Sequence, residues 1–278
     1  MTLSLSEREL REFCSQISPE YPYYDRFINE ARFGLSRISP YLARLNAARP
    51  SVLEVGAGSC ILVAFLATRG FDMAAVEPLG PGFGFYTGLQ NHVLDICRKM
   101  GSDVHVIREP AEQISARERY DFSYTINALE HMRDPYLAVD AMYRALRPGR
   151  SLLAHCPNYN VPFEPHFGIL LLTRSKALNK WLYRSVVGKD QVLWDEMNFI
   201  GYTDLRRHVA ARGYDFAFSR MIFEESFERV LCDHTFAERM PSIFVTIGRL
   251  LKRFHLLDKL HHWPVALQTP MEVVINKT

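Results

Sequence analysis

From residue 51 onward the chain alternates short apolar runs with segments of helical period, and no other feature restricts its fold as much. The runs 52–55, 73–76, 104–107, 121–126 and 151–156 are too short for helices, so they are expected strands. Between them, Ile61, Leu62, Phe65 and Leu66 recur at helical spacing ahead of Gly70, residues 87–100 stop at Gly101, and residues 136–146 end at Pro148-Gly149. Strands joined through helices run parallel and are covered on both faces, which predicts an α/β chain with a doubly wound, mostly parallel sheet. The 278 residues, 48% of them hydrophobic, suffice for such a core in one large domain or two unequal ones, and they exclude disorder.

Around that core, residues 1–49 are expected to form a helical N-terminal cap carrying Tyr21, Tyr23, Tyr24 and Phe27, and 50–158 the ligand-binding sheet. Residues 159–235 add an insertion, helical over 170–187, then a helix at 204–212 and a sixth strand at 214–218; residues 236–278 hold a second helical insertion and a final strand at 271–276. A formal charge of +2 is too small for its field alone to imply a nucleic-acid or membrane partner. Cys14, Cys60, Cys97, Cys156 and Cys232 contain no C-x-x-C pair, so neither a disulfide framework nor a zinc knuckle is expected, and a reducing cytoplasm fits. No stretch approaches the roughly 18 apolar residues of a spanning helix, and the first residues lack the apolar core of a signal peptide.

Strand 52–55 runs into Gly56-Ala57-Gly58 and then a helix, a turn in which bare Cα atoms let a ligand approach the backbone amides at the helix N-terminus. A dinucleotide fingerprint wants a small residue where Ile61 stands, which disfavours a nicotinamide oxidoreductase. Glu54, two residues ahead of the turn, repels a pyrophosphate and attracts an ammonium or sulfonium group, and S-adenosylmethionine carries both cations. Glu77 follows the second strand, about 20 residues after the turn, where a carboxylate can accept from ribose hydroxyls.

The stretch YDFSYTINALEHMRDPYLAVDAMYRALRPGRSLLAHCPN, from Tyr120 to Asn158, resembles the middle of class I S-adenosylmethionine-dependent methyltransferases of the broad small-molecule branch, with a fourth strand, an LEH turn, a helix and a Pro-Gly turn into the fifth strand. The resemblance covers about residues 50–158 and the last strand, and it implies a Rossmann-like, seven-stranded fold with S-adenosylmethionine as cofactor. It further implies that Gly56, Ala57 and Gly58 run beside the methionine moiety with Glu54 on its ammonium group, and that Glu77 holds the ribose. Ala111 and Glu112 would lie beside the adenine, and Asn127 with Leu129 would line the cofactor floor. Three positions depart from the family pattern: Cys60 stands for a glycine, Pro110 for an acidic residue and Arg150 for the second glycine of a Pro-Gly-Gly turn.

Methyl transfer is an in-line displacement at an activated carbon, so the protein mainly positions the acceptor, and an alcohol acceptor adds the need for a base. His131, with Glu130 after the fourth strand, can serve as base or pin its loop, and His155 suits a buried strand position. The segment 157–168, with three prolines, should form a rigid wall of the acceptor pocket; in it Glu164 and His166 are a base with its orienting partner, or else cap the next helix. That segment also resembles the PNY and PFEPHFG stretch of bacterial methyltransferases thought to act on envelope glycans. Trp181, Trp194 and Tyr202 are candidates to stack on a flat acceptor, or are core. The expected acceptor is a small molecule, a glycan or a lipid-linked species, methylated at oxygen. No metal site is expected, because no carboxylate cluster closes strands four and five and His261-His262 lacks companions at ligand spacing. Nucleic acid is not an expected partner: Asn127-Ala128-Leu129-Glu130 replaces the Asn/Asp-Pro-Pro-aromatic motif of base methyltransferases. The rival to an enzyme is a non-catalytic cofactor-binding or assembly protein on the same fold.

From Ser242 to Leu260 the pattern predicts one amphipathic helix, with Ile243, Ile247, Leu250, Leu251, Phe254 and Leu257 on one face and Arg249, Lys252, Arg253 and Lys259 opposite. Its apolar face suits either a lid packed on the sheet or a peripheral contact with an anionic membrane.

Overall fold

The computed structural model describes residues 5–79, 86–173, 175–233, 237–238 and 242–278. A seven-stranded sheet holds β1 (Ser51–Val55), β2 (Asp72–Val76), β3 (Val104–Ile107), β4 (Tyr120–Ile126), β5 (Leu146–Cys156), β8 (Asp215–Phe218) and β9 (Met271–Asn276), in the order β3-β2-β1-β4-β5-β9-β8. β1 pairs in parallel with β2 on one side and β4 on the other, and β2 with β3, so the chain reverses direction across the sheet between β1 and β4. The order and the parallel pairs are those of the Rossmann-like fold that the sequence implies.

Contacts divide the chain into two compact units, residues 1–154 with 275–278, and residues 155–274. In the first, α1 (Glu7–Cys14) starts at a reciprocal Ser6–Glu9 cap, and α2 (Tyr24–Leu42) packs on α3 (Ile61–Thr68). All of α3 from Ile61 to Ala67 is buried, as its uninterrupted apolar sequence requires, and it also contacts β2 and α4 (Thr87–Lys99). α5 (Pro135–Ala145) begins where the Asp134 side chain accepts from the amides of Tyr136 and Leu137, with Pro135 at the first helical position. β5 starts five residues earlier than its apolar run suggests: the Gly149 amide donates to the Lys277 carbonyl and the Lys277 amide to Arg150, both at 2.7 Å, which draws the Pro-Gly turn into the ladder. Arg150 also has a structural task, since it lies 3.4 Å from the buried Asp121 carboxylate that accepts from Arg147 and from the Ser51 amide.

The second unit opens with a short hairpin, β6 (Phe163–Glu164) against β7 (Ile169–Leu170), where the sequence suggests the start of a helix. Helix begins only at α6 (Lys176–Leu182), followed by α7 (Arg184–Val187), α8 (Gln191–Glu196) and α9 (Tyr202–Ala211). Trp194 is fully buried in a cluster with Ile169, Val187 and Met197 and is core, Tyr202 is half-buried and packs edge-on against Phe218, and Trp181 is exposed. Asn158 is a buried staple: its Nδ2 donates to the Gln268 carbonyl at 2.7 Å and its Oδ1 accepts from the amides of Asn160 and Tyr202.

α10 (Ile222–Cys232) and α11 (Ser242–Arg253) pack together through Gly248, where an added Cβ would meet Phe227 and Leu231. The single helix expected from Ser242 to Leu260 ends at Arg253, because His255 takes a left-handed φ of 53° and the Leu256 amide closes on the Leu251 carbonyl. A short 3-10 segment, Leu257–His262, completes it.

Candidate cofactor site

The cofactor residues expected from the sequence lie in the first unit, and several meet at the carboxyl ends of β1, β2 and β4, the edge where open parallel sheets bind ligands. Gly56 has φ of 80°, and a Cβ on it would stand 2.2 Å from the Cβ of Ala128, so the loop after β4 packs directly on the turn after β1. Gly58 also has a left-handed φ, 49°, but among the described residues nothing lies within 4 Å of its absent Cβ. Its peptide is held from two sides: the amide donates to Glu77 Oε2 at 2.7 Å, and the carbonyl accepts from Gln90 Nε2 at 2.7 Å. Gln90 is fully buried and accepts in turn from Arg108, whose other nitrogen donates to the Glu77 carbonyl. Gln90 and Arg108 escape sequence reasoning, because no local motif marks a side chain that reaches a turn from the next helix and the third strand's end.

The amides of Gly56 and Ala57 both donate to the Val76 carbonyl, and that of Gly58 is taken by Glu77. The sequence suggested that these amides face the ligand; instead all three are spent inside the protein. What the turn presents is open space beside a bare glycine, and those amides are not available to cradle a pyrophosphate. The left-handed conformation continues at Cys60, φ 59°, which explains the family's glycine there; here a buried thiol occupies the position, and burial pushes it upward.

Glu54 is buried, and its Oε2 has no hydrogen-bond partner among the described residues. Burial pushes its carboxyl up to about 8; the Tyr124 hydroxyl pulls the other way, and the Glu77 carboxylate reinforces the rise. No cation pairs with it among the described residues, and an ammonium ion is the ligand that would restore its charge. Glu77, also buried, accepts from the Leu79 amide and the Tyr86 hydroxyl, both at 3.2 Å, as well as from Gly58. The Glu54 carboxylate, with one oxygen unpartnered among the described residues, and the bare Gly58 fit the aminoacyl end of S-adenosylmethionine.

Ala111 is buried in a single 3-10 turn, while Glu112 accepts from the Asp134 amide at 2.8 Å and so braces the start of α5. Asn127 takes a left-handed φ of 52° at the exposed end of β4, a conformation asparagine tolerates, and Leu129 is fully buried behind it. Glu130 is buried, with His131 Nε2 3.8 Å from its carboxylate. In the second unit, His155 is buried 3.5 Å from Glu272. There, too, Glu164 is fully buried and accepts at once from His166 Nδ1 (2.7 Å), the His166 and Phe167 amides and the Tyr159 hydroxyl. Glu164 thus caps the turn of the β6–β7 hairpin, where the sequence suggests a helix cap, and it also holds the His166 imidazole.

A family model described as a methyltransferase domain matches residues 24–217. The chain belongs to this family, within the class I S-adenosylmethionine-dependent methyltransferases. It is 31% identical over 254 residues to the uncharacterized protein Rv1509 of Mycobacterium tuberculosis, covering 89% of this chain and 85% of that one. It is also 31% identical over 119 residues to a ubiquinone biosynthesis O-methyltransferase of Pseudomonas entomophila, covering 42% of this chain and 48% of that enzyme. Among solved structures, one from Galdieria sulphuraria, provisionally named a sarcosine dimethylglycine methyltransferase, superposes with a TM-score of 0.51 at 14% identity, covering 90% of this chain and 88% of that one, which supports the fold.

Proposed function

We propose that the protein transfers the methyl group of S-adenosylmethionine to an oxygen of a small-molecule or glycan-type acceptor. The observation that carries the cofactor half is the buried Glu54 carboxylate with an unpartnered oxygen, at the end of the strand that leads into Gly56 and Gly58. Glu54 holds the ammonium group, Gly56, Ala57 and Gly58 flank the methionine chain, and Glu77 accepts from the ribose hydroxyls. Ala111 and Glu112 border the adenine, with Asn127 and Leu129 beneath. The bound cofactor supplies a methyl already activated on a sulfonium.

For an alcohol acceptor, a C–S bond breaks as a C–O bond forms, and the hydroxyl proton goes to a base. His166 is assigned that task, because a Nδ1–H donated to Glu164 leaves Nε2 as its basic nitrogen, and His131 is the alternative. Oxygen as the target has the support of the O-methyltransferase likeness, which spans less than half of each chain. A glycan acceptor has the support of the segment from Pro157 to Gly168, with its likeness to envelope methyltransferases.

Calorimetry with S-adenosylhomocysteine tests the first half: binding with one site per chain is expected, and none to well-folded protein removes the assignment. A screen of alcohols, glycans and amines with methyl-labelled donor tests the second. Label is expected in hydroxyl acceptors; label confined to amines overturns the choice of oxygen, and turnover on any acceptor excludes the non-catalytic reading.

A further inference from the structure

α11 has two apolar faces and uses one. Gly248 is its buried residue, and Phe244, Val245 and Leu251 are half-buried around it on the side turned to α10. Ile243, Ile247, Leu250 and Phe254 are all exposed, Ile243 by 62% and Phe254 by 64%. At 100° per residue these four fall within a sector of about 60°, well away from Gly248, so they form a second stripe that nothing among the described residues covers. The Phe244 ring lies 4.7 Å from that of Phe163 in β6, and directly across the ladder from Phe163 stands Leu170, 58% exposed.

The charge beside the stripe decides what it fits. Residues 242–260 carry exposed Arg249, Lys252, Arg253 and Lys259 against one acid, Asp258; on the helical wheel Arg253 stands about 60° from Leu250, while Arg249 and Lys252 lie further round, away from the strip. A helix of 12 residues is about 18 Å long and too short to span a bilayer, and no helix among the described residues is long and apolar enough to cross one. A short helix with bulky apolar residues on one face and an excess of cations on the rest is suited to lie in the headgroup region, burying the former among acyl chains while the net positive charge is drawn to anionic headgroups.

We infer that the outer face of α11 docks this protein on an anionic membrane surface. The inference stands apart from the acceptor assignment, because vesicle binding is read without turnover.

The experiment is co-sedimentation of the full chain with vesicles of phosphatidylcholine alone and with vesicles of equal parts phosphatidylcholine and phosphatidylglycerol. Binding to the second, weakened by salt, is expected, and the double variant Lys252→Glu, Arg253→Glu should reduce it at least about tenfold. Ile247→Asp should reduce it as well, while all these variants bind S-adenosylhomocysteine and melt as the parent does. No sedimentation with either vesicle, equal binding to both, or binding that survives the charge reversals overturns the inference. So does a stable dimer by light scattering that Ile247→Asp dissociates, since the stripe then belongs to a second copy of the chain.

Discussion

The Gly58 amide donates to the Glu77 carboxylate at 2.7 Å, which ties the turn after β1 to the residue after β2. One carboxylate thus braces the glycine turn and, in the proposed site, accepts from the ribose. Removing it acts on both. Glu77→Ala is expected to weaken S-adenosylhomocysteine by about 1–3 kcal/mol, the range for a charge-assisted hydrogen bond, and to lower the melting temperature because buried donors lose their acceptor. Gln90→Ala, which frees only the Gly58 carbonyl, should weaken binding less. Calorimetry on both variants decides, and unchanged affinity in Glu77→Ala removes the ribose assignment.

The two glycines of the turn should respond in opposite ways. A side chain on Gly56 strikes Ala128, whereas one on Gly58 enters open space. Gly56→Ala is therefore expected to lower thermal stability. Gly58→Val should cost about 1–2 kcal/mol for its left-handed backbone, remain folded, and lose S-adenosylhomocysteine because the branch fills the cradle. Calorimetry together with thermal melts checks this, and a Gly58→Val protein that binds normally puts the methionine moiety elsewhere.

Glu54 links binding to pH. Its carboxyl is raised from 4.5 to about 8, so the folded protein keeps a proton there that the unfolded chain releases. The resulting stabilisation is complete below about pH 4.5 and fades as pH rises through about 8, which makes the ligand-free protein less stable toward neutral pH. An ammonium ion favours the ionised carboxylate, so binding expels the proton and affinity should rise with pH across that window, by up to about tenfold per unit. Glu54→Gln is expected to bind weakly and flatten the slope. Titrations at several pH values below 8 measure it; a flat profile in the parent protein would contradict the pairing.

The strands and their order are legible because parallel, doubly covered strands are nearly continuous apolar runs, as 52–55 and 73–76 show, and the acids and glycines at their ends follow from chain order alone. The Gln90–Gly58 contact is not, since it joins residues 32 apart through tertiary packing and neither carries a local signature. Periodicity likewise groups Leu251 with Ile247 and Leu250, yet Leu251 is half-buried and the other two are exposed. A helical wheel finds apolar residues without saying which have a partner. The end of α11 at Arg253 was hidden for a related reason: no glycine or proline marks it, and His255 supplies the left-handed residue.

Glu164 and His166 separate a structural role from a chemical one. Four donors converge on the fully buried Glu164 carboxylate, so Glu164→Ala leaves them without an acceptor and is expected to destabilise the fold by about 3–5 kcal/mol, as when one partner of a buried pair is removed. That variant says little about catalysis. His166→Gln removes the basic nitrogen while the backbone amides of residues 166 and 167 still hold Glu164, so the protein should melt near the parent temperature and bind S-adenosylhomocysteine unchanged. Its turnover on an alcohol acceptor found in the labelled-donor screen should fall about a hundredfold or more, the range for loss of a positioned base. If His166→Gln turns over at the parent rate, Glu164 and His166 only cap the hairpin turn, and His131 becomes the residue to replace.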